Sequence, residues 1–188
     1  MKCLIELIDC TFLGSGAEGS VYLTPEGFVI KRFSSIKAAK KEASILDNVK
    51  DSPFFPKVLI RVSNIVIREY VKGENLYEHI QKNGLSYSLS KELIDLIEDL
   101  KRLNFKRLNV RNAHIFIDNN EKLMVIDPRK PYSKTTPYPK DIIKILLKLN
   151  VFDAFLKDLT DYKPHLLDYW IDGYDFIVHR YRHVLRYG

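Results

Sequence analysis

The chain has 188 residues, 46% of them apolar and 29% charged, with a formal net charge of +6. That is the composition of one ordinary globular domain, with no internal repeat and no low-complexity stretch. No apolar run approaches the roughly 18 residues needed to cross a bilayer. Glu6 and Asp9 interrupt the apolar N-terminus, so neither a signal peptide nor a membrane span is expected, and a cytoplasmic location is. Cys3 and Cys10 have no histidine at a metal-ligand spacing and read as reduced structural thiols.

In chain order, Cys10–Leu13 reads as a strand entering a glycine-rich turn, Ser20–Leu23 as the strand leaving it, and Phe28–Phe33 as a third strand after the turn Thr24–Gly27. Ile36–Val49 carries apolar residues at helical spacing. Val58–Val62 and Ile65–Val71 form a predicted hairpin around Ser63 and Asn64. Beyond Gly73 the pattern turns helical. Leu76–Lys82 stops at Asn83 and Gly84, and a longer helix opens with Ser90 as N-cap and runs to Leu103. Ile115–Asp118 and Lys122–Asp127 read as short strands, Lys140–Leu149 as an amphipathic helix, and Val151–Gly188 as aromatic-rich helix.

The segment Leu13–Tyr22, LGSGAEGSVY, contains G-x-G-x-x-G. Dinucleotide-binding folds share this spacing, but there the glycines open a helix, whereas here Ser20–Leu23 continues as strand. A glycine-rich hairpin of Leu13, Gly14, Ser15, Gly16, Ala17, Glu18 and Gly19 can lie against phosphates, with Val21 over a base. An ordinary tight hairpin is the competing reading. Lys31 follows on the third strand beside apolar Val29 and Ile30. Glu42, on the next helix, is the expected ion-pair partner of Lys31, a solvated Glu42 being the alternative. The stretch Ile65–Leu76 places an apolar strand, Glu69, Tyr70, Val71 and Gly73 before a helix.

Glycine loop, strand lysine, helix glutamate and this linker occur in the order of the protein-kinase superfamily. From Thr11 to Leu147 the chain resembles its small bacterial and atypical members, of the RIO and lipopolysaccharide-kinase type. The resemblance implies an α+β, protein-kinase-like bilobal fold. It implies an antiparallel-sheet N-lobe (about 1–71) with one helix, a hinge (about 69–73) and a reduced helical C-lobe (about 74–188). It also implies an ATP site contacting Leu13–Gly19, Val21, Ile30, Lys31, Glu42, Glu69 and Val71, with Mg²⁺ or Mn²⁺ as metal. Arg68 departs from the pattern, standing where most kinases place an apolar or small residue, and needs a carboxylate such as Glu42 or Asp127.

The second half matches more loosely. Setting Ile115–Asp118 and Leu123–Asp127 on the family's two strands makes Asp127 the metal-binding aspartate, in Asp127-Pro-Arg129 in place of D-F-G. The loop Arg107–His114 then puts Asn109 at the catalytic-base position and His114 at the second metal ligand, where a structural histidine is the competing reading. Asn109 cannot carry the negative charge of an aspartate, so it is inactivating, compensated elsewhere or engineered, and an aspartate restored there is expected to raise transfer. Asp141 matches the aspartate that braces the catalytic loop, or serves as a helix N-terminal charge. The basic, aromatic tail His179–Gly188 reads as a final helix rather than a nucleic-acid contact.

The expected function is therefore an ATP-dependent serine/threonine-type kinase acting on a protein, impaired or inactivated by Asn109. The alternatives are a pseudokinase that works as nucleotide-binding switch or scaffold, and a small-molecule kinase.

Overall fold

The computed structural model describes residue 7 and residues 9–128 and 131–181. The fold is mixed α+β and comprises two compact units, Met1–Lys72 and Gly73–Gly188. Cys3, Arg129 and the tail beyond Tyr181 lie outside the described residues, and Cys10 is a free, half-buried thiol. Among the described residues no helix is long and apolar enough to cross a membrane.

The N-terminal unit is a five-stranded antiparallel sheet with one helix. Its strands are β1 (Thr11–Gly16), β2 (Gly19–Leu23), β3 (Phe28–Phe33), β4 (Val58–Val62) and β5 (Ile65–Glu69), in the spatial order β1-β2-β3-β5-β4. Helix α1 (Ile36–Asn48) starts where the Ser35 hydroxyl accepts from the Ala38 N–H at 3.2 Å. It lays Ala39 and Ala43 against Phe33 of β3 and Val66 of β5. Small residues on the helix let it approach the sheet closely.

The C-terminal unit opens with the two-residue strand β6 (Glu74–Asn75), paired with β7 (Ile115–Ile117), which pairs with β8 (Leu123–Val125). Its helices are α2 (Leu76–Asn83), α3 (Tyr87–Arg102), α4 (Lys140–Lys148), α5 (Phe152–Tyr162) and α6 (Leu167–Tyr181). Leu89, Leu93, Leu96 and Leu100 form a fully buried stripe on α3, each contributing roughly 1.5–3 kcal/mol by burial. Helix α3 begins earlier than its sequence suggests. Ser86, not Ser90, is the N-cap, accepting from the Leu89 N–H at 3.0 Å. Ser90 is wholly buried and donates instead to Asp158 Oδ2 on α5 at 2.6 Å. A serine four residues into a helix faces the same side as the cap, and only its tertiary partner tells the two apart.

Candidate functional site

In the N-terminal unit the cross-strand register decides which side chains share a face. Val21 lies opposite Lys31, Lys31 opposite Val66, and Val29 opposite Arg68. Directly paired residues and residues two apart project to the same side. Val21, Val29, Lys31, Val66 and Arg68 therefore stand on the helix-covered face. Lys31 and Glu42 form an ion pair there, with exposures of 9% and 6%, and the ammonium also lies 4.8 Å from the Phe33 ring centre. Taking both charges out of water costs about as much as their attraction returns, so the pair fixes position more than it stabilises. Ile30, one residue from Lys31, projects to the opposite face and is buried there. Val29 is the apolar neighbour that shares the lysine's face, a distinction that the period-two pattern already carries.

The three loop glycines have different physical grounds. Gly19 has φ +148°, and a Cβ there would sit 2.0 Å from the Arg32 carbonyl oxygen, so the approach of β2 to β3 demands glycine. Gly14 has φ +155°, beside a bulge in the β1–β2 pairing. Gly16 has no positive φ, and a Cβ added to it would meet nothing within 4 Å. The strand geometry gives no reason for glycine at that position. Ser15, Ala17 and Glu18 are exposed, Leu13 is 45% exposed, and the Glu18 carbonyl accepts from Ser34 N–H at 2.9 Å, tying the hairpin tip to the end of β3.

Around Glu69 the backbone is partly engaged. Its N–H donates to the Lys57 carbonyl at 3.0 Å, and its carbonyl accepts from Arg68 Nη1 at 3.2 Å, leaving that oxygen one lone pair. The Glu69 carboxylate accepts from Lys57 N–H at 3.0 Å, and Val71 beyond it is half-buried. Arg68 is 5% exposed. Its guanidinium spends one hydrogen bond on the main-chain oxygen of Glu69, a residue that the resemblance places at the ATP site.

In the C-terminal unit Asn109 is held on both sides of its amide. Its Oδ1 accepts from the Asp141 N–H at 2.8 Å, and its Nδ2 donates to Asp141 Oδ1 at 3.3 Å. The first bond satisfies an orphan N–H in the first turn of α4; the second neutralises none of the carboxylate's charge. The flanking chain is laced to 131–136: Arg107 N–H donates to Pro131 O, Leu108 N–H to Thr136 O and Thr136 N–H to Lys106 O. Further along, Asn75 Nδ2 donates to the Asn112 carbonyl at 2.6 Å, strapping the loop to the start of α2. The residues give no sign of this strap, because the partners lie 37 positions apart.

His114 and Asp127 come together. Nδ1 of His114 is 4.0 Å from Oδ2 of Asp127, and the Ile126 N–H donates to the His114 carbonyl at 3.0 Å. One carboxylate oxygen and one imidazole nitrogen at that separation can ligate a single divalent ion, with Mn²⁺ tolerating the nitrogen better than Mg²⁺. The same pair also satisfies itself as an ion pair whenever the imidazole is protonated.

No family model matches the chain. It is similar to the "Putative serine/threonine-protein kinase YrzF" of Bacillus subtilis, with 22% identity over 125 residues, or 63% of this chain and 58% of that protein. It is also similar to the "Protein translocase subunit SecA" of Malacoplasma penetrans, with 26% identity over 178 residues, or 82% of this chain but 12% of that protein. The chain thus spans little more than half of the first relative and a small fraction of the second. The first likeness, with the sheet-then-helices architecture, supports a kinase-like relationship and nothing finer.

Proposed function

We propose that the chain binds ATP with Mg²⁺ or Mn²⁺ and acts as a serine/threonine-type kinase of low transfer rate. The observation that carries this reading is the buried Lys31–Glu42 pair, on a strand directly following a glycine hairpin whose Gly16 has no conformational ground. A lysine desolvated and held by one carboxylate is positioned to meet phosphate oxygens as a point charge. Gly16 leaves backbone N–H groups approachable. Asp127, with His114 beside it, would offer a hard oxygen donor to a divalent ion. ATP supplies the phosphoryl group: the acceptor oxygen bonds to the γ-phosphorus, the β–γ bridging P–O bond breaks with its electron pair leaving on ADP, and the hydroxyl proton passes to water. Asn109 orients the acceptor hydroxyl at most, since a neutral amide takes no proton at this step.

Saturating Mg²⁺-ATP should raise the melting temperature, the stabilisation reaching about 2.7 kcal/mol at a ligand concentration of 100 Kd. Lys31→Met should remove that shift, and radiolabelled phosphate should pass slowly to a generic protein acceptor. Absence of any shift at millimolar nucleotide with either metal sinks the proposal.

One observation favours a second reading, a nucleotide-binding switch or scaffold without transfer. The Asn109 amide is turned toward Asp141, to which its oxygen and its nitrogen each make one bond, leaving one N–H and one lone pair. Swinging the whole side chain toward an acceptor gives up the first-turn bond of α4.

A further inference from the structure

The loop bearing Asn109 and the segment laced to it carry five cations and no carboxylate of their own; Asp141, which opens α4 just beyond them, is engaged with the Asn109 amide. Within 103–117 and 131–140 the ionised residues are Lys106, Arg107, Arg111, Lys134 and Lys140, and there is no Asp or Glu. Just upstream, at the end of α3, Lys101 and Arg102 are already neutralised by Glu98 and Asp99, so the imbalance belongs to the loop itself. It does not arise from a generally basic surface. The chain as a whole carries only +6, and this pair of segments contributes five of those charges on a short stretch of backbone. The hydrogen bonds between Lys106, Arg107, Leu108 and residues Pro131 and Thr136 hold the two segments side by side. Lys106, Arg111 and Lys134 are exposed. Arg107 bonds the Asn109 carbonyl and Lys140 lies over the Phe176 ring, but the exposed like charges of Lys106, Arg111 and Lys134 repel one another, and a partner of opposite sign offsets that cost.

We propose that this surface receives an acidic polypeptide segment, so that the phosphate acceptor is a serine or threonine flanked by Asp and Glu. The segment's role as acceptor rests on the kinase reading, but the surface and its charge do not. An acidic peptide is favoured over nucleic acid because the cations surround the one loop that the kinase reading assigns to a hydroxyl. Among the described residues of these segments, Tyr132 is the exposed aromatic side chain, and its ring packs edge-on against Phe105 at 5.2 Å, so no run of stacking platforms accompanies the charge.

The test uses the full chain and three fluorescein-labelled peptides with a central serine, flanked by acidic, neutral or basic residues, in anisotropy titrations at about 50 and about 200 mM salt. The acidic peptide should bind at least about tenfold more tightly than the neutral one at the lower salt, and lose most of that margin at the higher. The triple variant Lys106→Glu, Arg111→Glu and Lys134→Glu should abolish the margin and invert the preference toward the basic peptide. Single-residue reversals should each remove a part of it. Melting with and without Mg²⁺-ATP is read on the same proteins. A retained nucleotide shift in the triple variant shows that the fold and the nucleotide reading survive while the surface is lost. Charge-selective peptide binding without any nucleotide shift keeps the surface and removes the kinase reading. Equal binding of the three peptides, indifference to the triple reversal, or displacement of the acidic peptide by a tenfold lower concentration of single-stranded RNA overturns the proposal.

Discussion

In the N-terminal unit Lys31 is placed by strand register and one buried carboxylate, both inherited from regular structure. In the C-terminal unit Asn109 is placed by side-chain bonds to a helix terminus and by main-chain bonds to a distant segment. The first arrangement tolerates change in its neighbours as long as the sheet forms. The second depends on particular amides and carboxylates meeting at 2.8 and 3.3 Å. A site held by regular structure can thus persist on scaffold geometry alone, whereas a loop held by particular side chains is rebuilt by single substitutions.

The largest expected effect is on the first side of that comparison. Glu42→Ala leaves the Lys31 ammonium buried without its carboxylate and should cost about 3–5 kcal/mol in urea unfolding. Lys31→Met combined with Glu42→Leu should recover most of that stability while ATP no longer shifts the melting point. If Glu42→Ala costs less than about 1 kcal/mol, the ion pair is not what positions Lys31.

The glycines sharpen the same side. Gly19→Ala must displace the Arg32 carbonyl from β2 and should lose about 1–3 kcal/mol. Gly16→Ala meets open space and should stay within about 0.5 kcal/mol of the parent, yet weaken ATP binding. Equal stability losses for the two, measured by thermal unfolding, break the distinction drawn between them.

Asn109→Asp probes the other side. It sets a second carboxylate where the amide nitrogen now stands 3.3 Å from Asp141 Oδ1. The like charges raise the introduced carboxyl's pKa on folding. A group raised on folding gives its full stability below its unfolded value and loses it as pH rises. The variant should therefore match the parent near pH 3–4 and fall about 1–2 kcal/mol below it at pH 7. A rise in phosphate transfer despite that loss would restore the catalytic-base reading of position 109. Unchanged transfer with ATP still bound favours the switch.

A smaller effect separates α3–α5 packing from the candidate loop. The Tyr162 hydroxyl donates to Asp95 at 3.0 Å, and burial, then that bond, push its pKa up. Burial pulls the neighbouring Lys163 ammonium down, but its 2.8 Å bond to the same carboxylate and the attraction of the surrounding negative charge together outweigh this and leave it raised. Both groups are raised on folding, so their contribution is complete below about pH 10 and is lost above it. Asp95→Asn should flatten that alkaline loss, by about 0.5–1 kcal/mol, and leave ATP and peptide binding unchanged. An alkaline melting profile identical to the parent's contradicts the assignment.

The strands, most helices and the order of the candidate residues were legible in the chain itself. Period-two and period-3.6 apolar patterns, and turn residues such as Ser63-Asn64 and Asn83-Gly84, are local signals, and local signals survive in one dimension. From them came the sheet-then-helix division, the hairpin bearing Gly14, Gly16 and Gly19, and the neighbourhood of Lys31. Tertiary structure decided the rest. Whether Ser86 or Ser90 caps α3 depended on Asp158, which lies 68 positions from Ser90. The sharing of a sheet face by Val29 and Arg68 depended on cross-strand register. Asn109 became a brace on α4, and Asn75 a strap on the loop, through partners 32 and 37 residues away. A polar side chain presents the same donors and acceptors wherever it stands, so its role is set by the groups that folding brings within about 3 Å of it.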